Sequence, residues 1–338
     1  MEFWLDIAAF AVKAGLIVAA IGALVFVISR VTRDGEDSAP DLKVTCLNDH
    51  YEDMEARLSG AVLDKKAVKA LAKVRKKAAK AQKGPETGKR LYVLAFEGDV
   101  KASAVTRLGN QVDALLTLAR PGQDEIVVKV DSPGGTVNGY GLAATQLLRL
   151  RDAGLALTVC VDQVGASGGY LMACTANKIL AAPFAIVGSI GVVAQVPNLH
   201  RLLKKNDIDF EEITAGEFKR SVSLLGEITP AGREHFRGKL DATHVAFKDF
   251  VARYRPALKI DEVANGDYWY GSEAIGLGLV DELMASDDYL FRARTSARLF
   301  SVTSEERKPL LKQLLEGLGF AFDAAVSRLW RKTGPGGV

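Results

Sequence analysis

The chain has 338 residues, 48% of them hydrophobic, which suffices for one sizeable domain with appendages. Lys and Arg total 44 against 41 Asp and Glu, and a net charge of +3 points to no polyanionic or polycationic partner. Three cysteines, Cys46, Cys160 and Cys174, are an odd count with two inside apolar runs, which gives no disulfide framework and reads as buried small hydrophobes.

Ile7 to Ile28 is apolar apart from Lys13. At about 1.5 Å per residue this run is long enough to cross a hydrocarbon core of about 30 Å. Lys13 lies near its start, where a long amine reaches the interface. A cleaved signal peptide fits less well, because Glu2 and Asp6 precede the run and Arg30 follows it. The predicted element is an uncleaved anchor over residues 1–29. By the charge rule, Arg30, Arg33 and Lys43 place the remainder of the chain on the cytoplasmic side.

Residues 30–89 read as a polar tether followed by a helical arm. Leu47, Tyr51, Met54, Leu58, Val62, Val68, Leu71 and Val74 recur at three- and four-residue spacings over 43–83. Residues 64–90 carry Lys65, Lys66, Lys69, Lys73, Arg75, Lys76, Lys77, Lys80, Lys83, Lys89 and Arg90 against only Asp64 and Glu86. Such an arm is either a solvated spacer or a surface for anionic lipid or nucleic acid. The breaker cluster Gly84-Pro85-Glu86-Thr87-Gly88 marks a domain boundary.

From Leu91 the texture is α/β. Strands are expected at Leu91–Phe96, Ile126–Val130, Leu155–Val161 and Ile179–Ala182, with a further strand-like run at Phe210–Thr214. Helices are expected at 103–119, Gly141–Leu150, Leu171–Ala176 and 236–254. This alternation implies a largely parallel sheet within a domain over 90–295. Residues 296–338 read as a tail whose stretch 309–332 is an amphipathic helix. That helix would serve subunit packing, core completion or a membrane surface.

Gly165-Ala166-Ser167-Gly168-Gly169-Tyr170 joins an expected strand to an expected helix. A serine between small residues at such a turn exposes its hydroxyl beside free backbone N–H groups, as acyl transfer requires. The same six residues also suit a plain Gly-rich packing turn. A nucleophilic serine needs a base. His50, His200, His235 and His244 have no motif around them, and His235 and His244 lie in a charged helical stretch. Lys219, beside Phe218 in Thr214-Ala215-Gly216-Glu217-Phe218-Lys219-Arg220-Ser221, is the alternative base, although its local sequence better suits an ordinary solvated lysine. Burial in an apolar pocket lowers a lysine below its ordinary value of about 10.4 and frees the amine to accept a proton.

Taken with Asp131-Ser132-Pro133-Gly134-Gly135 and Ala182-Pro183-Phe184-Ala185-Ile186-Val187-Gly188-Ser189-Ile190-Gly191-Val192, these motifs resemble the signal peptide peptidase A family of Ser-Lys proteases, and within it the SohB branch. The resemblance covers roughly residues 1–290. It implies a ClpP/crotonase-like fold of repeated ββα units. It also implies Ser167 as nucleophile, Lys219 as general base, Ser189 as the serine that holds the lysine, and the N–H groups of Gly135 and Gly168 as oxyanion donors. Gly271 to Asp281 matches a segment read as structural.

The resemblance further implies peptide-bond hydrolysis through an acyl-enzyme, with neither cofactor nor metal. Peptide or protein substrates, the membrane through the N-terminal helix, and further copies in a ring are the expected partners, and nucleic acid is not. The family places its protease domain outside the cytoplasm, on the periplasmic face of the bacterial inner membrane, and this outweighs the three basic residues of the charge rule. A base that must be neutral makes activity rise toward alkaline pH. Two other classes compete. An inactive scaffold of this fold is opposed by the intact Ser167, Lys219 and Ser189. A crotonase-like acyl-CoA enzyme needs no Ser-Lys pair.

Overall fold

The structure, a computed structural model, describes residues 41–82 and 88–305. The expected anchor, the polar tether up to residue 40 and the expected 309–332 helix lie outside the described residues. Among the described residues no helix is long and apolar enough to cross a membrane.

In chain order the elements begin with β1 (Asp41–Cys46), α1 (Leu47–Val62), α2 (Lys65–Gln82), β2 (Arg90–Glu97), α3 (Val105–Leu118), β3 (Glu125–Asp131) and α4 (Val137–Asp152). There follow β4 (Ala156–Val161), β5 (Val164–Ala166), α5 (Gly168–Ala173), β6 (Lys178–Ala181), β7 (Ile186–Gly188), α6 (His200–Lys205) and α7 (Pro230–Tyr254). The chain continues through α8 (Ile260–Val263), β8 (Tyr268–Tyr270), α9 (Gly271–Ala274), β9 (Glu282–Leu283), α10 (Ser286–Ala293) and β10 (Arg298–Glu305).

Seven strands form one sheet in the order β1-β10-β2-β3-β4-β6-β9. The pairings from β10 through β9 are all parallel. Its central strands are mostly apolar, with runs such as Leu91–Phe96 and Ile126–Val128, because both faces are covered. Leu94, Ile126, Val128, Leu157 and Val159 enter the larger core with Leu108, Leu115 and Leu147 of the helices. Val93, Val127, Cys160 and Leu180 point the other way, onto Leu290 and Leu299. Each fully buried aliphatic side chain of this kind contributes about 1.5–3 kcal/mol.

Two segments expected outside the α/β region belong to this sheet. β10 lies beyond residue 295 and pairs with β2 in the register Leu299↔Leu91. β1 replaces the helical start read at residue 43. Asn48, at the start of α1, seals the join: its Oδ1 accepts from the Leu299 amide at 2.7 Å, and its Nδ2 donates to the carbonyls of Arg294 and Ala297. The helical arm is two helices, broken at Leu63–Asp64, where Asp64 Oδ1 accepts from the amides of Lys66 and Ala67.

A second sheet of three short strands, in the order β5-β7-β8, stands beside the first. It is tied on by Ser132, whose amide donates to Val164 and whose carbonyl accepts from Ala166. The strand expected at Phe210–Thr214 is not formed. That segment is exposed irregular backbone, and its apolar residues have no neighbouring strand to pair with. Helix α7 begins at Pro230, earlier than expected, because Thr229 Oγ1 caps the Gly232 amide at 3.1 Å and proline occupies the first turn.

Candidate active site

Strand β5 ends at Ala166, opposite Gly188 of β7. The next residue, Ser167, has φ +51° and ψ −116°, a conformation that costs a non-glycine residue about 1–3 kcal/mol. Its amide donates to the Gly188 carbonyl at 2.8 Å, which fixes the turn. Helix α5 starts immediately after it at Gly168. The buried residues around Ser167 leave it partly open to solvent, next to the positive end of a short helix.

The Pro133-Gly134-Gly135 turn abuts this serine. A Cβ on Gly134 (φ +90°) would lie 2.6 Å from the Gly168 nitrogen and 2.7 Å from Ser167 Cβ. A Cβ on Gly135 would lie 2.1 Å from the Val100 carbonyl oxygen. Only glycine permits this approach. The Gly134 amide donates to Ser132 Oγ at 3.1 Å. The Gly135 and Gly168 amides have no acceptor among the described residues. Two acceptor-free N–H groups beside a strained serine are what stabilise an oxyanion as a carbonyl carbon turns tetrahedral.

Tyr140, which the sequence reading missed, holds the turn from behind. Its ring fills the space beside Gly168, where a Cβ would lie 2.3 Å from its Cγ. Its hydroxyl lies 2.5 Å from Ser132 Oγ and donates to the Asp99 carbonyl at 2.8 Å. Burial, partly offset by Ser132, keeps the phenol above its ordinary pKa and therefore neutral. Gly98 makes room for this pair, since a Cβ there would lie 2.3 Å from Ser132 Oγ. Nothing local in the sequence marks Tyr140, which reads as one more core residue of a helix.

Ser189 follows Gly188 with φ +50°. Its amide donates to Asp267 at 2.7 Å and its Oγ approaches the Gly266 carbonyl at 3.4 Å. The two paired strands thus deliver Ser167 and Ser189 to one end of the small sheet. Lys219 sits in an exposed turn closed by its amide on the Gly216 carbonyl at 3.1 Å. Among the described residues no hydrogen bond or ion pair joins it to Ser167 or Ser189. The apolar burial expected of it is absent in this single chain.

No hydrogen bond links any of the four histidines to Ser167. His244 Nε2 contacts the Ile190 carbonyl at 3.1 Å, His235 stacks on Phe218, and the His200 amide reaches Asn198. No group of three or more His, Cys, Asp or Glu able to hold a metal ion occurs among the described residues.

The profile of Peptidase family S49 matches residues 149–299, and that of Peptidase family S49 N-terminal matches residues 2–147. "Probable protease SohB" of Buchnera aphidicola subsp. Schlechtendalia chinensis is 41% identical over 303 residues, which cover 86% of this chain and 99% of that one. The chain belongs to Peptidase family S49. Within the S49 family it stands in the SohB branch, being 50% identical over 223 residues to "Probable protease SohB" of Haemophilus influenzae. That match covers 66% of this chain and 63% of the relative. "Protease 4" of Salmonella typhi is 30% identical over 176 residues, 52% of this chain and 28% of that protein. The first S49 segment contains the Gly135 turn, and the second contains Ser167, Gly168, Ser189 and Lys219.

Proposed function

We propose that this S49 protein is a membrane-anchored serine endopeptidase of ClpP/crotonase-like fold, which cleaves signal-peptide-like or unfolded polypeptides. The observation that carries the reading is the strained Ser167 turn with the acceptor-free amides of Gly135 and Gly168 beside it. Ser167 Oγ attacks the substrate carbonyl carbon while neutral Lys219, held by Ser189, accepts the hydroxyl proton. The carbonyl π pair moves to oxygen, where the two amides receive it. Collapse of the tetrahedral intermediate breaks the C–N bond, and the lysine ammonium protonates the leaving amine. A water molecule, deprotonated by Lys219, then releases the acid and restores the serine.

The exposed side chains around Lys219 favour an assembly of copies. Val193 is 82% and Ile213 93% exposed, with Leu202, Ile208, Phe210, Phe218 and Leu224 also at the surface. So many exposed apolar side chains along residues 193–224 favour an interface. Covering it with a neighbouring copy would also take Lys219 out of water, the condition a lysine base needs. The apolar run Ile7–Ile28 supplies the anchor, and the catalytic domain faces the periplasm.

The test is cleavage of a leucine- and alanine-rich signal-like peptide by the native chain, Ser167→Ala and Lys219→Ala. Loss of cleavage in both folded variants supports the dyad. Unchanged activity in Lys219→Ala places the base elsewhere. Three equally inert proteins favour the non-catalytic scaffold of the same fold.

A further inference from the structure

Lys219 projects from an exposed turn, and something must fix it. Its neighbour Phe218 stacks on His235 of α7 with ring centroids 3.9 Å apart and planes 7° from parallel. A second contact lies two residues further on. The Ser221 carbonyl sits against Gly232 so closely that a Cβ there would be 2.5 Å from its oxygen. The turn is therefore held to the first turns of α7 on both sides of Lys219. The other holds lie within the turn's own stretch of chain: the Lys219 amide on the Gly216 carbonyl at 3.1 Å, the Ser221 Oγ to Phe218 carbonyl contact at 3.4 Å and the Arg220–Glu212 ion pair at 3.4 Å.

The same helix also reaches the serine end of the site. His244 Nε2 contacts the carbonyl of Ile190, the residue after Ser189, at 3.1 Å. His235 and His244 are separated by nine positions, about 13 Å along a helix. One rigid element thus grips the lysine turn at one point and the Ser189 segment at another.

We infer that His235 is a positioning residue for the reaction: its ring, stacked on Phe218, sets the place of the Lys219 turn on α7. This rests on the reading of Lys219 as the base. A flat ring is what the contact needs, so phenylalanine serves at this position and alanine does not. The imidazole touches no reacting atom, so the effect falls on kcat rather than KM. Displacing a catalytic group by about 1 Å can cost about 100-fold.

The experiment compares the full chain, His235→Ala, His235→Phe and Lys219→Ala. It combines amide hydrogen exchange with kinetics on a leucine-rich fluorogenic signal-like peptide. In His235→Ala the Lys219 amide exchanges faster while the central sheet does not. Its kcat falls by about 10- to 100-fold with KM within about twofold. His235→Phe restores both. Unchanged exchange at Lys219 in His235→Ala overturns the inference, whether or not the peptide is cleaved. So does a His235→Phe variant as impaired as His235→Ala, which would give the imidazole itself the role. If Lys219→Ala keeps full activity while His235→Ala loosens the turn, the clamp stands and the base assignment falls. If Lys219→Ala is dead and His235→Ala behaves as native in both measurements, the clamp falls and the base assignment stands.

Discussion

Ser167 and Ser189 leave paired parallel strands one step beyond the Ala166–Gly188 pair, with φ of +51° and +50°. Both conformations are unfavourable for a residue with a side chain. Strain at a single position is a local accident of packing. The same strain on two adjacent strands, at one level, places both serines at one end of the small sheet.

The strain at Ser167 separates two substitutions that both remove the hydroxyl. Ser167→Ala keeps the Cβ and the strained backbone. Ser167→Gly relieves the backbone, a gain of about 1–3 kcal/mol, offset by about 0.5–1 kcal/mol of extra chain entropy. The glycine variant is therefore expected to be more stable than the alanine variant by about 1 kcal/mol, with both inactive in peptide cleavage. Equal denaturation midpoints would show that the turn stores no strain.

Gly135 tests the oxyanion donors. An added Cβ would fall 2.1 Å from the Val100 carbonyl oxygen, so the Gly135 amide must move in Gly135→Ala. Loss of one such donor typically lowers kcat by about 10²–10³-fold. The expected result is that loss together with a lowered thermal midpoint, because the added Cβ meets backbone and not a movable side chain. Activity within about twofold of native would remove this amide from the site.

Tyr140→Phe leaves the ring against Gly168 and removes only the hydroxyl. Ser132 loses a partner in a buried setting, at a cost of about 1–3 kcal/mol, while the Asp99 carbonyl keeps the Ala102 amide as a donor. The Ser132 hydroxyl also accepts from the Gly134 amide, so the oxyanion turn loosens with it. Denaturant unfolding and kcat should fall together. A stability loss with native kcat would confine Tyr140 to the core.

The parts of this fold visible in the sequence are those with long signals. β2, β3 and β4 contain long apolar runs, and glycines crowd the Ser167 turn, so both stand out. β5, β7 and β8 have three residues each, too short for any periodicity, and only their pairing reveals them. Phe210–Thr214 has strand composition but no partner strand, and composition alone cannot supply one. Tyr140 is invisible because its role rests on residues distant in sequence. Lys219 stands out only by its neighbour Phe218 and by resemblance, and its local sequence is equally that of a solvated lysine.

The cysteines offer a check independent of activity. Cys160 and Cys174 are buried. Desolvation pushes the Cys160 thiol up to about 12 and raises Cys174 as well. Since the thiolate is the reactive form, a thiol-directed reagent should modify only Cys46 rapidly in the native protein. All three should react in denaturant. Rapid reaction of a second thiol under native conditions would mean that the sheet opens.

Asp281 ties the end of α7 to the sheet. It accepts from Arg255 through both oxygens, at 2.7 and 2.8 Å, and from the Ile179 amide at 2.7 Å. Burial opposes its charge, but the Arg255 and Ile179 bonds prevail and hold its pKa below the ordinary 3.8. A carboxyl lowered on folding stabilises the native state above its unfolded value, and this contribution is lost as pH falls through the folded one. Asp281→Asn should cost about 1–3 kcal/mol near neutral pH. The gap between native and variant should narrow as pH drops from near 3.8 to below the folded value. Denaturant midpoints across that range decide it. A gap that stays constant with pH would show that the carboxylate's charge contributes nothing, and that hydrogen-bond geometry alone holds α7 to the sheet.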